Sequence, residues 1–256
     1  MMKRIAVFAY GVVAYALFFG TFCYAAGFIG NLMVPVSMDS SPVGPFGESL
    51  LIDLALLGVF AVQHSLMARP FFKRWLTRFI LQAAERSTYV LVSSLLMILM
   101  FWQWRPLGGV IWEITNPVGV AIAYGLFASG WFIILLASFL INHFDLFGLR
   151  QVWLFLRGKE YTQIRFALPG LYKRVRHPLY VGWFLAFWAT PTMSLTHLVF
   201  ALMTSAYILV AIQLEERDLI EMHPEYRIYR RQVPMLIPRI GRADISPAGD
   251  AEGAAA

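Results

Sequence analysis

Residues 170–182 read Gly-Leu-Tyr-Lys-Arg-Val-Arg-His-Pro-Leu-Tyr-Val-Gly and open an apolar run. Proline suits the first turn of a helix, so His177 falls at an N-cap. The free N–H groups of that turn, flanked by Arg174 and Arg176, make an anion site. The apolar block that follows closes on Glu215-Glu216, which returns two carboxylates to the same surface. Cations and carboxylates facing one another suit a zwitterionic ligand. Further on, Tyr226 and Tyr229 share a helical face, and Val233-Pro234-Met-Leu-Ile-Pro238 must run extended. A strap of that composition covers a flat aromatic ring. Three other ionisable groups stand out. His64 lies inside an apolar run, where such a group is functional by default, although an interhelical hydrogen bond accounts for it equally well. His143 and Asp145 either orient one another, bind substrate or form a loop network. The spacing of the three follows no ligand pattern, so no metal is assigned.

The elements that carry these residues follow from composition. Of 256 residues, 59% are hydrophobic, 16% aromatic and only 14% charged, against about a quarter charged in an ordinary soluble domain. The apolar residues fall in blocks of about 20, the length that crosses a bilayer. One cysteine, Cys23, excludes an internal disulfide and a cysteine-based zinc site. The blocks predict spans over 5–35 (tilted or broken at Gly27 or Gly30), 50–68, 87–104 and 118–141, then a hairpin over 178–213 interrupted at Thr190-Pro191-Thr192. Its first arm is short, which predicts a turn inside the outer leaflet. The expected fold is an all-α polytopic membrane protein of four spans plus a C-terminal helical hairpin. Residues 1–242 make one domain, and the small-residue segment 243–256 is expected to be disordered.

Charge placement tests that topology. Lysines and arginines number 2 before the first span, 5 in segment 69–86, 7 in segment 142–176 and 6 after the hairpin, leaving Arg105 alone on the other side. Positive charge stays inside, so both termini and both long connectors are expected in the cytoplasm of a bacterium, with the spans in its inner membrane. The net charge of +6 therefore requires no nucleic acid. Trp102, Trp104 and Trp112 read as an outer aromatic belt and His197 as an interfacial residue. Ala26-x-x-x-Gly30 and Ala121-x-x-x-Gly125 can pack helices or subunits, which leaves an oligomer open.

The run Gly-x-Tyr-x-x-x-Arg-His-Pro-x-Tyr-x-Gly, then Glu-Glu-x-x-Leu, then Tyr-x-x-Tyr-x-x-x-Val-Pro-x-x-Ile-Pro resembles the C-terminal signature of the isoprenylcysteine carboxyl methyltransferase superfamily, which includes phospholipid N-methyltransferases and NnrU-like membrane proteins. The resemblance implies that residues 170–238 bind S-adenosylmethionine, through Tyr172, Arg176, His177, Tyr180, Gly182, Glu215, Glu216, Tyr229 and Pro234. It departs at His223-Pro224, where Phe/Tyr-Gly is common. Gln-His-Ser-Leu-Met-Ala-Arg-Pro at 63–70, Glu-Arg-Ser-Thr-Tyr at 85–89, Phe-Trp-Gln-Trp-Arg-Pro at 101–106 and Asn-His-Phe-Asp-Leu-Phe-Gly-Leu-Arg-Gln at 142–151 look like the bacterial membrane methanethiol S-methyltransferases, over nearly the whole chain. That implies methyl transfer to a small thiol, giving dimethyl sulfide, with His64, Arg69, His143 and Asp145 on the acceptor side. The resemblance also leaves room for a larger isoprenoid thiol, carboxylate or lipid amine as acceptor, or for a non-catalytic NnrU-like protein.

The residues fit a methyl donor of this kind without a nucleotide-binding turn, since no Gly-x-Gly occurs. His177 with its helix N-terminus suits the donor's carboxylate. Glu215 or Glu216 suits its ammonium, and Tyr180, Tyr229 and the strap suit its ring. A transporter would need polar groups in several spans, whereas the spans here carry little beyond Asp53 and His64.

Overall fold

Once an apolar run leaves water its backbone polar groups must pair internally, and a helix is the solution available to a single segment. The computed structural model describes residues 1–40, 42–164 and 168–239. Its helices are α1 (Met2–Gly30), α2 (Phe46–Ala68), α3 (Pro70–Leu76), α4 (Glu85–Gln103), α5 (Pro117–Ile141), α6 (His143–Leu146), α7 (Leu149–Leu156), α8 (Pro178–Trp188), α9 (Leu195–Met222) and α10 (Tyr226–Gln232). A short antiparallel pair, β1 (Val110–Glu113) and β2 (Thr192–Ser194), makes the one sheet among the described residues. Five helices are long and apolar enough to cross a membrane: α1, α2, α4 with the turn before it, α5 and α9. The chain is an all-α, multi-pass membrane protein. The segment 243–256, expected to be disordered, lies outside the described residues.

Punctuation in the sequence sets the helix ends. Pro45 and Asn116 precede the starts of α2 and α5, and the Asn116 side chain accepts from the Gly119 N–H. Asn31 and Asn142 close α1 and α5 in the left-handed conformation that asparagine tolerates. The expected break at Gly27 or Gly30 is absent. Helix α1 runs unbroken for 29 residues, about 44 Å, well beyond a hydrocarbon core of about 30 Å. Its surplus is held at the N-terminal end by α7, whose Val152 packs on Gly11 and whose Trp153 meets Phe8.

Three loops gather at one end of the bundle. Ser194 donates to Asp39 at 2.6 Å, Asp53 accepts from the Arg105 backbone N–H at 2.9 Å, and β1 pairs with β2. The start of α1, helices α3 and α7, the start of α8 and helix α10 lie at the other end, so an even number of passes separates the first helix from the last. Two corrections belong to the loop end. His197 is fully buried rather than interfacial, because its Nε2 donates to the Phe187 carbonyl, one of the acceptors left open at the end of α8. Trp104 is buried too, turned in edge-on against Phe28 and Phe200, so the exposed belt retains Trp102 and Trp112.

The hairpin forms, with α8 as its short arm of 11 residues, about 16 Å. The turn does not stop inside the leaflet as expected. Residues 189–194 run extended and reach the start of α5, where Ile114 donates to the Pro191 carbonyl at 2.8 Å. Helices α5 and α8 meet backbone to backbone. A Cβ on Gly182 would stand 2.7 Å from the Gly130 carbonyl oxygen and 2.9 Å from the Ile134 nitrogen, which only glycine avoids. This register leaves the start of α8 roughly five residues, about 8 Å, short of the end of α5. His177 is therefore recessed below the basic end of the bundle.

Candidate functional site

Glu216 is the centre of the recessed cluster. Its position late in α9 follows from the hairpin, which returns the chain to the level of His177, and the residue is 1% exposed. Oε1 accepts from Arg176 Nε at 2.7 Å, His177 Nε2 at 3.0 Å and the Tyr226 hydroxyl at 3.4 Å. Arg230 Nε stands 2.9 Å from Oε2, close enough for a charge contact but off hydrogen-bond geometry. Arg176 Nη1 donates to the Arg230 and Val233 carbonyls at 2.9 and 2.6 Å. A buried charge needs this many partners to persist.

The same cluster fastens the strap. The backbone N–H groups of Arg176 and His177 donate to the carbonyls of Pro234 and Met235 at 2.9 and 3.2 Å. Met235 and Leu236 then pack on the main core. Tyr229 is buried against Tyr226 and Val233, and its hydroxyl donates to the Tyr172 carbonyl at 2.6 Å. Burial pushes the Tyr172, Tyr226 and Tyr229 phenols well above the usual tyrosine range, so they stay neutral donors. The structure thus gives several expected site residues other work. Tyr229 is a pin beneath the strap rather than a face for a ring, Pro234 contributes its carbonyl, and Gly182 faces α5.

Glu215 is the carboxylate left open. Its side chain is 45% exposed, with Oε2 accepting from the Tyr180 hydroxyl at 3.0 Å and lying 3.9 Å from His177 Nδ1. A second polar group lies between α2, α4 and α9. The Tyr89 hydroxyl stands 2.9 and 3.0 Å from the two ring nitrogens of His64, and Ser93 Oγ lies 3.4 Å from Nδ1. Tyr207 meets Ser65 Oγ at 3.0 Å. Arg69 pairs with Asp218 at 2.9 Å, one turn beyond Glu215. Two polar groups thus share α9: Glu215 with Tyr180 of α8, and, about two turns earlier, Tyr207 with Ser65 beside the His64–Tyr89 pair of α2 and α4.

His143 and Asp145 are elsewhere, and they do not orient one another. Ser138 Oγ gives its proton to the Leu135 carbonyl at 2.7 Å, so His143 Nδ1 donates to Ser138 Oγ at 2.9 Å and Nε2 accepts from the Tyr15 hydroxyl at 2.8 Å. The ring stacks on Phe139 at 4.2 Å, and burial pushes its pKa down from the ordinary histidine value. Asp145 pairs with Arg150 at 2.9 Å and accepts from the Tyr161 hydroxyl at 3.2 Å. Both residues hold the segment after α5 against α1 and α7. No group of three metal-ligating side chains converges among the described residues. A cavity of about 320 Å³, lined by Asn31, Asp39, Tyr124 and Ser194 among others, lies at the loop end, far along the bundle from the charged cluster.

Tyr207 and Asp218 escaped notice in the sequence, yet they share a signal with Glu215. Positions 207, 211, 215 and 218 recur at helical spacing on one face of α9, polar at three of the four.

The chain matches no family model. It is 59% identical over 242 residues to the methanethiol S-methyltransferase of Crocosphaera subtropica, covering 94% of this chain and 95% of that protein. It is 50% identical over 238 residues to the methanethiol S-methyltransferase of Mycobacterium tuberculosis, covering 93% of this chain and 98% of that protein. It is also 30% identical over 184 residues to nurim of Mus musculus, covering 67% of this chain and 68% of that protein. No solved structure matches.

Proposed function

The chain belongs to the methanethiol S-methyltransferase family, and from that premise we propose that it methylates methanethiol with S-adenosylmethionine, giving dimethyl sulfide and S-adenosylhomocysteine. The observation that supports the reading is that one face of α9 carries the open carboxylate of Glu215 and, about two turns away, Tyr207 bonded to Ser65 next to His64, so that a cation-binding group and a proton acceptor lie along the same helix. Glu215, half exposed and held by Tyr180, pairs with the donor's ammonium. The first turn of α8, beside the His177–Glu216 pair, receives its carboxylate. The strap, fixed by Arg176 and His177, walls the ring. Glu216 acts one step back, since its own charge is already spent on Arg176, His177 and Arg230.

When bound, S-adenosylmethionine supplies a sulfonium-activated methyl group. Beyond holding the donor, the chain has a second task at His64. His64 takes the thiol proton, because the thiolate is the competent nucleophile, and Tyr89 fixes the ring while it does so. Displacement of that methyl group by the thiolate, with S-adenosylhomocysteine leaving, would depend on how His64 and Tyr89 align the acceptor more than on acid–base strength. Arg69 holds the end of α2 to α9 through Asp218 and so sets the distance between the two tasks.

A small apolar acceptor reaches His64 from the bilayer while the charged donor enters from the aqueous side, which explains a recessed site in a membrane enzyme. The basic end accordingly faces the cytoplasm, in a bacterial inner membrane. Incubation of the purified protein with methyl-labelled S-adenosylmethionine and a panel of thiols tests the reading. Volatile labelled dimethyl sulfide is the expected result, and label transferred only to prenylated or lipid acceptors overturns it.

A further inference from the structure

Helix α3 and the turn after it carry a face that no described residue covers. Phe71, Trp75 and Phe79 stand four apart and are 56%, 49% and 72% exposed, with the last two rings 5.3 Å apart. Arg74 and Arg78 lie between them on the same face, both exposed, and neither side chain makes an ion pair or hydrogen bond among the described residues. The helix is anchored at its start, where Arg69 pairs with Asp218 of α9, and Phe72 packs beside Trp75 within the helix itself.

This composition belongs to neither of its neighbours. Lipid-facing sides of the spans, such as Leu51, Val62, Val118 and Phe132, are exposed without charge. A solvated connector, in turn, gains nothing by exposing three large aromatic rings. Its position decides between them, since segment 69–86 joins the ends of α2 and α4 where both leave the apolar layer. Rings seated at that depth with arginines beside them match the interfacial zone of a bilayer. Cations crowd the same place: burial and the neighbouring Arg86 push the Lys73 ammonium below its ordinary value.

We propose that the face formed by Phe71, Arg74, Trp75, Arg78 and Phe79 is a docking surface for anionic phospholipid headgroups, with the rings seated in the interface and the two guanidinium groups on lipid phosphates. Charge complementarity names the occupant, because the cytoplasmic leaflet carries anionic lipid and guanidinium binds phosphate in a bidentate manner. The proposal rests on the membrane reading of the chain and stands independently of the methyl-transfer reaction.

The test uses the full-length protein in vesicles of phosphatidylcholine with a minor fraction of spin-labelled phosphatidylglycerol or, in parallel, spin-labelled phosphatidylcholine, reading the motionally restricted fraction of each. The expected result is preferential retention of phosphatidylglycerol, reduced about fivefold by each of Arg74→Gln and Arg78→Gln and unchanged by Arg157→Gln on α7. Should a variant fail to fold, the wild-type preference alone decides: it must collapse as salt rises from about 0.05 to about 0.5 M, where the screening length shrinks from roughly 14 to 4 Å. Equal retention of the two lipids, or a preference that survives both substitutions, overturns the proposal. Competition by inorganic phosphate at about 10 mM would make this a free-anion site instead. A cross-linked dimer from Phe79→Cys that forms irrespective of lipid would assign the face to a second copy of the chain.

Discussion

At the scale of single residues, the two adjacent glutamates separate into different roles. Glu216 is buried and shared among Arg176, His177 and Arg230, so Glu216→Gln breaks a buried ion pair and should cost about 3 kcal/mol of stability, lowering the melting temperature and loosening the strap. Glu215 is half exposed and touches only Tyr180 and, more distantly, His177. Glu215→Gln should leave melting unchanged and weaken S-adenosylhomocysteine binding by about 1.5 kcal/mol or more, read by calorimetric titration. Identical behaviour of the two variants would remove the distinction. His64 belongs to neither group. His64→Ala should keep cofactor affinity and lose about 10² to 10⁴-fold in turnover, a deficit that narrows as assay pH rises and solution supplies thiolate. Unaltered turnover would return His64 to an interhelical hydrogen bond with Tyr89. Residue types and order were enough to single out Glu215, Glu216, His177 and His64. The sharing of Glu216 among Arg176, His177 and Arg230 was not visible, because Arg230 reaches it from a helix whose docking depends on tertiary packing.

At the scale of elements, the spans expected over 50–68, 87–104 and 118–141 are observed as Phe46–Ala68, Glu85–Gln103 and Pro117–Ile141. Proline and left-handed asparagine account for that agreement, since both act through local backbone sterics that sequence displays directly. Segment 142–176 was harder to read. His143 finds Tyr15 on α1, 128 residues away, rather than Asp145 two residues along, and no local pattern encodes such a partner. The consequence is measurable. Burial depresses the folded-state pKa of His143 below the ordinary value of 6.5, so the unfolded chain binds its proton first. The stability this neutral ring contributes is complete above about pH 6.5 and is lost as pH falls from there through the folded-state pKa. Detergent-solubilised protein should therefore melt at lower temperature at pH 5.5 than at pH 7.5, and His143→Gln should flatten that slope while lowering the plateau. A slope that persists in the variant would place the acid-sensitive group elsewhere. His143→Gln should also leave the acceptor specificity untouched, which a catalytic histidine would not.

At the scale of the whole molecule, the start of α1 and helix α10 lie at the same basic end, an even number of passes apart, and charge placement orients that end against the loop end. A cysteine introduced at Glu113, exposed on β1, should react with a membrane-impermeant maleimide added outside cells in a Cys23→Ser background, whereas one at Lys159 should react only after permeabilisation. Reaction at both from outside would undo the hairpin and the recessed site with it. Acceptor choice is also a property of the assembled bundle, because His64 and its partners lie between α2, α4 and α9 rather than in a loop free to open. Phe60 stacks over His64 at 5.2 Å, leaving the imidazole an apolar lid on one side and Tyr89 on the other. A site so confined discriminates by bulk. Each methylene added to methanethiol should shift kcat/KM by about 10-fold to 200-fold at most while space remains, then abruptly by more once the helices must separate. Ethanethiol should be a poor substrate and farnesylated cysteine none, as measured by labelled-methyl transfer at equal thiol concentration. Phe60→Ala should relax this order by admitting ethanethiol without improving methanethiol turnover. Faster methylation of farnesylated cysteine than of methanethiol by the unaltered protein would instead mean that bulk is no barrier at His64 and that the small-thiol reading fails.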